Sequence, residues 1–158
     1  FQIPQPFGGL SVFENTFVAA AHVARLETIK ANEICIQILE QTGLLSKANH
    51  LANSLTLLER KRLELARALC AKPKILLLDE IAGGLTESEC QSLINTINKI
   101  KESGIAIIWI EHIVHALLSI VDRLIVINFG AKIADGEPKK IMASKAVKEI
   151  YIGIEADA

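Results

Sequence analysis

Apolar positions recur at helical spacing over the first third of the chain. Val12 to Arg25 is alanine-rich with its larger apolar residues three and four apart, which predicts a helix that Ser11 or Asn15 can cap. A second helix is predicted from about Ala31 to Thr42, with Ile34, Ile38 and Leu39 on one face and Gly43 as its stop. Residues 46–54 are polar and turn-like. Leu57 to Cys70 reads as a strong helix: Leu58, Leu65 and Leu69 form a stripe, and Glu59, Arg60, Lys61, Arg62, Glu64 and Arg67 fill the other positions as a solvated face.

At Lys74 the pattern changes. Ile75-Leu76-Leu77-Leu78 runs unbroken into Asp79-Glu80, and so short an unalternating run predicts a strand buried on both faces, as in a parallel sheet covered by helices. Gly83-Gly84 turns the chain. Thr86 and Glu89 match a capping box for a helix to about Ser103, which Gly104 ends. Ile105–Ile110 is a second buried strand closing on Glu111-His112, and a helix to about Val121 follows. Arg123–Asn128 is a third strand, and Lys132–Ala134 a short fourth. Pro138 opens two short terminal helices. Strands alternating with helices from 74 to 128 predict right-handed crossovers and a parallel sheet, with ligands at the carboxyl ends of the strands. Asp79-Glu80 and His112 sit at two such ends. Two acids there either close a core strand in a solvated turn or serve a metal ion or proton chemistry, and the histidine at the neighbouring strand end favours the second reading.

Composition narrows this picture. A chain of 158 residues suffices for one domain with a proper core. A net charge of −1 makes no electrostatic case for nucleic acid or an anionic membrane surface. The apolar fraction of 51% and mean hydropathy of +0.36 imply a heavily buried sheet or a surface that docks on something. Cys35, Cys70 and Cys90 have no metal-ligand spacing and read as small buried hydrophobes of a reducing compartment. Gly104–Val121 imitates a membrane span, but Glu111 would cost ~2.5–3.5 kcal/mol at mid-bilayer, so a strand, turn and helix explain it better. The opening Phe1-Gln2-Ile3-Pro4-Gln5-Pro6-Phe7 reads as the middle of a longer chain.

Three stretches in order, Leu65-Ala66-Arg67-Ala68-Leu69, Pro73-Lys74 and Ile75-Leu76-Leu77-Leu78-Asp79-Glu80, are followed about thirty residues on by Glu111-His112. Together they resemble the ATP-binding subunit of ABC transporters. Lys61-Arg62-Leu63-Glu64, Phe13-Glu14-Asn15 and the ending Ile150-Tyr151-Ile152-Gly153 are most similar to the subunits of branched-chain amino-acid importers. The resemblance implies an α/β P-loop NTPase (ABC ATPase) fold with an incomplete parallel sheet and a helical subdomain. It divides the chain into 1–55 (Q-loop and helical subdomain, docking on a permease), 56–136 (signature helix and α/β core) and 137–158 (terminal helices and tail).

Carried over residue by residue, the resemblance makes Asp79 the Walker B aspartate that holds Mg²⁺ through water. Glu80 becomes the general base or water-orienting carboxylate for attack on the γ-phosphate of ATP, and His112 the switch histidine on that phosphate. Gln2 matches the Q-loop glutamine, which contacts metal and attacking water. Thr56-Leu57-Leu58-Glu59 stands at the signature motif that acts on the partner's ATP, and Gly83-Gly84-Leu85-Thr86 at the D-loop of the dimer interface. The implied partners are transmembrane permease subunits and a second ATP-binding subunit, and the implied location is the cytoplasmic face of the membrane, held peripherally. His115 receives no role.

Three departures stand out. Leu58 replaces the signature glycine and Glu59 its glutamine, so backbone cannot approach phosphate as closely there. Ile81 stands where a proline usually follows the catalytic glutamate. No G-x-x-x-x-G-K-[ST] occurs in the chain, which is therefore expected to be the carboxyl-terminal two-thirds of a cassette and to be inactive alone. The competing expectation is a non-catalytic truncated module that docks on a permease or partner. An ATPase of DNA repair or translation is a third, against which the importer-like Phe13-Glu14-Asn15 speaks.

Overall fold

The computed structural model describes residues 3–152, with side chains through residue 149. They divide into two compact units, the first ending at Ala116 and the second beginning at Leu117.

The first unit opens with helix α1 (Val12–Val18), whose start is a capping box: the Ser11 hydroxyl accepts from the Glu14 N–H, and the Glu14 carboxylate accepts from the Ser11 N–H at 2.7 Å. Asn15 is fully buried, accepts from the Phe7 N–H at 2.8 Å and donates to the Phe7 and Ser11 carbonyls, tying the preceding loop to the helix. The single helix expected to Arg25 instead widens into one π-helical turn, Ala19–Val23, and stops at Arg25 with φ 52°. In this turn Ala20 shares a buried cluster with Ala31, Cys35 and Cys70 of the two following helices. Helix α2 (Thr28–Gln41) ends at Gly43 as expected. Gly43, at φ 73°, donates to the Glu40 carbonyl and Leu44 to the Leu39 carbonyl, the paired bonds of a Schellman stop with Leu44 fully buried.

Helix α3 (Leu57–Cys70) carries a second capping box, Thr56 with Glu59. Leu63, Leu65, Ala66 and Leu69 are buried, and Val12, Leu39, Leu44, Leu55 and Leu63 share one core cluster. The expected solvated face is only partly so. Lys61 is 5% exposed, the Arg62 guanidinium donates to the Ser92 hydroxyl at 2.7 Å, and Arg67 donates to the Gln5 carbonyl beneath the Phe7 ring.

Strands β1 (Ile75–Asp79) and β2 (Ala106–Ile110) pair in parallel, with Ile75 opposite Ala106 and Asp79 opposite Ile110, joined by α4 (Glu87–Glu102). This confirms the crossover. Trp109 of β2 packs on the cluster of Ala82, Cys90, Ile94 and Ala116, so α4 lies against the strands through Cys90 and Ile94. Burial differs from expectation. Leu76 and Leu78 are buried, but Ile75, Leu77, Ile108 and Ile110 are 56–71% exposed, so among the described residues one sheet face is open. Alternating side chains of a two-stranded sheet reach one covering layer only.

Helix α5 (Val114–Leu118) is shorter than the expected helix to Val121. In the second unit β3 (Leu124–Asn128) and β4 (Ala131–Gly136) form an antiparallel hairpin, and among the described residues β3 pairs with β4 and not as the third parallel strand that the alternating pattern suggested. A two-residue turn makes the hairpin. Phe129 and Gly130 have φ 45° and 79°, both positive as a type I′ turn requires, and return the chain at once onto β3. The Arg123 guanidinium donates to both Asp135 oxygens at 2.7 and 2.8 Å and Lys132 adds a bond at 3.0 Å, which together hold the Asp135 carboxyl well below the usual carboxylate range. Helices α6 (Pro138–Ala143) and α7 (Lys145–Ile152) contact β4, with Val147 buried.

The three capping-box glutamates, Glu14, Glu59 and Glu89, each accept a backbone N–H at a helix start, and that bond lowers each carboxyl below the ordinary 4.5. A lowered folded value means a contribution present above about 4.5 and lost as pH falls below it. Thermal unfolding should therefore shift downward between pH 4.5 and 3 by more in the unmodified chain than in a variant with all three changed to Gln. Identical pH dependence in the two proteins would contradict the assignment.

Candidate functional site

Parallel pairing brings two strand ends to one edge. Because Asp79 is in register with Ile110, the chain leaves β1 through Glu80 and β2 through Glu111 side by side. The Glu80 N–H donates to the Ile110 carbonyl at 2.9 Å, extending the ladder by one bond. Glu80 then takes φ 45°, a left-handed conformation that costs a non-glycine residue ~1–3 kcal/mol and that surrounding contacts must enforce. Its carboxylate thereby turns toward His112: Oε1 lies 4.0 Å from the imidazole Nδ1. Asp79, the last residue of β1, is exposed at the same edge.

Beneath them lies a carboxylate absent from the expected site. The Glu111 side chain is 0% exposed, against 40% for Glu80 and 65% for His112. Glu111 Oε1 accepts the Ala82 N–H at 2.8 Å, and Oε2 accepts the His112 N–H at 3.1 Å and lies 3.4 Å from His112 Nδ1. Lys61 supplies opposite charge: burial pushes its ammonium pKa down, and attraction to Glu111 and Glu64 opposes that shift. Both residues were legible in principle. Strand alternation continued past Trp109 points Glu111 inward, and the helical stripe of Leu58, Leu65 and Leu69 passes through position 61. An open groove of about 380 Å³ runs from α3 to β1, with Lys61, Glu64, Arg67, Leu77 and Asp79 in its walls.

The remaining candidates fall elsewhere. Gln2 lies outside the described residues. Thr56-Leu57-Leu58-Glu59 forms the first turn of α3, where Thr56 and Glu59 are engaged with each other; Glu59 also lies 3.7 Å from Lys47. Leu57 is 40% exposed and faces the glycine loop, since a Cβ on Gly84 would stand 3.2 Å from Leu57 Cδ2. Leu58 is half-buried.

Chemically, the edge offers the exposed carboxylate of Asp79 and, beside it in the chain, a Glu80 carboxylate 4.0 Å from the His112 imidazole. Among the described residues no three His, Cys, Asp or Glu side chains converge on a metal position.

The family model described as "ABC transporter" matches residues 1–83. The high-affinity branched-chain amino acid transport ATP-binding protein BraF of Pseudomonas aeruginosa is 38% identical over 125 residues, 78% of this chain and 49% of that protein. LivG of Escherichia coli, of the same description, is 37% identical over 116 residues, 73% and 46% respectively. The crystal structure of the ADP conformation of MJ1267, an ATP-binding cassette of an ABC transporter, superposes with a TM-score of 0.80 at 27% identity over 98% of this chain and 67% of that one. The chain spans about half the length of the curated relatives it matches. On the family match and the shared cassette architecture, the chain belongs to the ABC transporter family and carries the P-loop NTPase fold of its ATP-binding cassettes.

Proposed function

We propose that the protein carrying this chain is the ATP-hydrolysing subunit of an ABC importer for branched-chain or other amino acids. The observation that supports this most directly is the meeting of Glu80 with His112 at the carboxyl edge of paired strands, beside Asp79. Sequence similarity to BraF and LivG supports the substrate class.

In this reading Asp79 holds Mg²⁺ through a water molecule. When bound there, the ion would supply charge neutralisation for the phosphates, with Asp79 as the residue that would hold it. Glu80, 40% exposed and adjacent to Asp79, orients the attacking water and accepts its proton. His112, 65% exposed, turns its imidazole to the γ-phosphate, and Gln2 contacts metal and water. Thr56 to Glu59 face the ATP of a second ATP-binding subunit, and Gly83–Thr86 line that interface. Residues 10–55 dock on the transmembrane permease subunits, for which exposed Val23, Ile29, Leu45 and Leu51 offer apolar contact. Among the described residues no helix is long and apolar enough to cross a membrane, and the reading places the subunit peripherally on the cytoplasmic face.

One observation favours a second reading, a non-catalytic module that docks without hydrolysing ATP. Thr56 and Glu59 are occupied by the capping box, and Leu58 stands where glycine would expose backbone.

Three measurements separate these readings. In the intact protein assembled with its transport partners, Glu80→Gln should lower ATP turnover by about 10²-fold or more, the scale of a lost general base; undiminished turnover would remove Glu80 from the chemistry. Leu58→Gly should raise turnover despite a helix-propensity cost of ~1 kcal/mol, and no change would separate the signature departure from activity. The 158-residue chain by itself should show no micromolar ATP binding by titration calorimetry, and tight binding would show that it holds phosphate without a glycine-rich loop.

A further inference from the structure

Glu111 has no part in the roles assigned so far, yet it is more enclosed than any other acid at the strand edge, with its side chain 0% exposed. A carboxylate is stable in such a place only when its oxygens are hydrogen-bonded and its charge is balanced. Both conditions hold. Oε1 takes the Ala82 N–H, Oε2 takes the His112 N–H, and Lys61 is near enough for its ammonium to be attracted. One side chain thus joins the loop leaving β1 to the loop leaving β2.

Those two loops carry Glu80 and His112. Glu80 stands two residues before Ala82 in a left-handed conformation. Its N–H is held by the Ile110 carbonyl at 2.9 Å, and the loop beyond it by the Glu111 bond to Ala82, which is itself fully buried. His112 is fixed at its own N–H by the other oxygen, while its imidazole stays 65% exposed. With both oxygens engaged and no solvent exposure, the Glu111 carboxylate has no path to an attacking water.

We propose that Glu111 is a positioning residue of the hydrolytic site: its two oxygens hold the Glu80 loop and the His112 loop in mutual register, so that base and phosphate contact keep one geometry. The proposal rests on the reading of Glu80 as the carboxylate that handles the attacking water. Misplacing such a group by about 1 Å can cost on the order of 10²-fold in rate.

The test compares Glu111→Gln, Glu111→Asp, Glu111→Ala and Glu80→Gln in the intact protein assembled with its transport partners, reading kcat and the KM for ATP. Gln keeps the length and the carbonyl acceptor for Ala82 but loses the charge. Asp keeps the charge opposite Lys61 but is one methylene too short to span both loops. Positioning by reach predicts about a tenfold loss of kcat for Gln and about 10²-fold for Asp, with KM for ATP unchanged in both. If Asp retains as much turnover as Gln or more, charge balance alone is what Glu111 supplies, and the proposal is overturned. Wild-type kcat in Glu111→Ala overturns it equally. Should the Ala variant fail to fold, the order of Gln and Asp still decides. Wild-type turnover in Glu80→Gln would instead sink the reading of Glu80, and this role for Glu111 with it.

Discussion

The parallel register of β1 and β2 is the constraint on which the site depends. Five residues of each strand are paired so that Asp79 and Ile110 end together, and every functional group proposed within the described residues of the catalytic edge leaves the sheet within two residues of that line. A parallel pair cannot be closed by a tight turn, so the chain must cross through α4 before it returns. The crossover separates Glu80 from His112 by more than thirty residues in sequence and brings their side chains within 4.0 Å. The proximity of the groups proposed for catalysis is a by-product of strand pairing.

What the strands bring together, backbone bonds then hold. Glu80 occupies a conformation that an unrestrained glutamate avoids, and the buried Glu111 carboxylate holds the N–H of Ala82 in the loop that follows it. A buried carboxylate adds little net stability, because desolvation offsets most of what its hydrogen bonds gain, but leaving its partners unpaired is expensive. Its value at this edge is geometric. Polar groups that would be a liability in an ordinary core fix two loops relative to one another.

Much of this was legible in the residues. The helix from Leu57 to Cys70, the strand from Ile75 to Asp79 and the Thr86–Glu89 cap follow local rules of period and capping, and the structure reproduces them at the predicted places. The failures have non-local causes. Alanine spacing could not reveal that the helix changes to a π-helical turn where Ala20 joins Cys35 and Cys70 in a buried cluster. The apolar run Ile75–Leu78 could not say how many layers cover it. The alternation of strands and helices from 74 to 128 suggests a third parallel strand, but alternation alone does not say which strand β3 pairs with, and among the described residues it pairs with β4. At the site, acids beside a histidine were visible, but that Glu111 faces inward while Glu80 faces solvent depends on strand alternation carried one residue beyond the strand's end.

The open face of the two-stranded sheet has a thermodynamic meaning of its own. Ile75, Leu77, Ile108 and Ile110 each retain more than half of their surface in water. Burying a large aliphatic side chain yields about 1.5–3 kcal/mol, so these residues withhold on the order of several kcal/mol, a sizeable share of the ~5–15 kcal/mol that separates most folded domains from their unfolded chains. The fold's stability is therefore a function of its surroundings. Whatever lies against that face binds the paired strands and not the unfolded chain, and mass action then couples its presence to the order of the strand edge that carries Glu80 and His112.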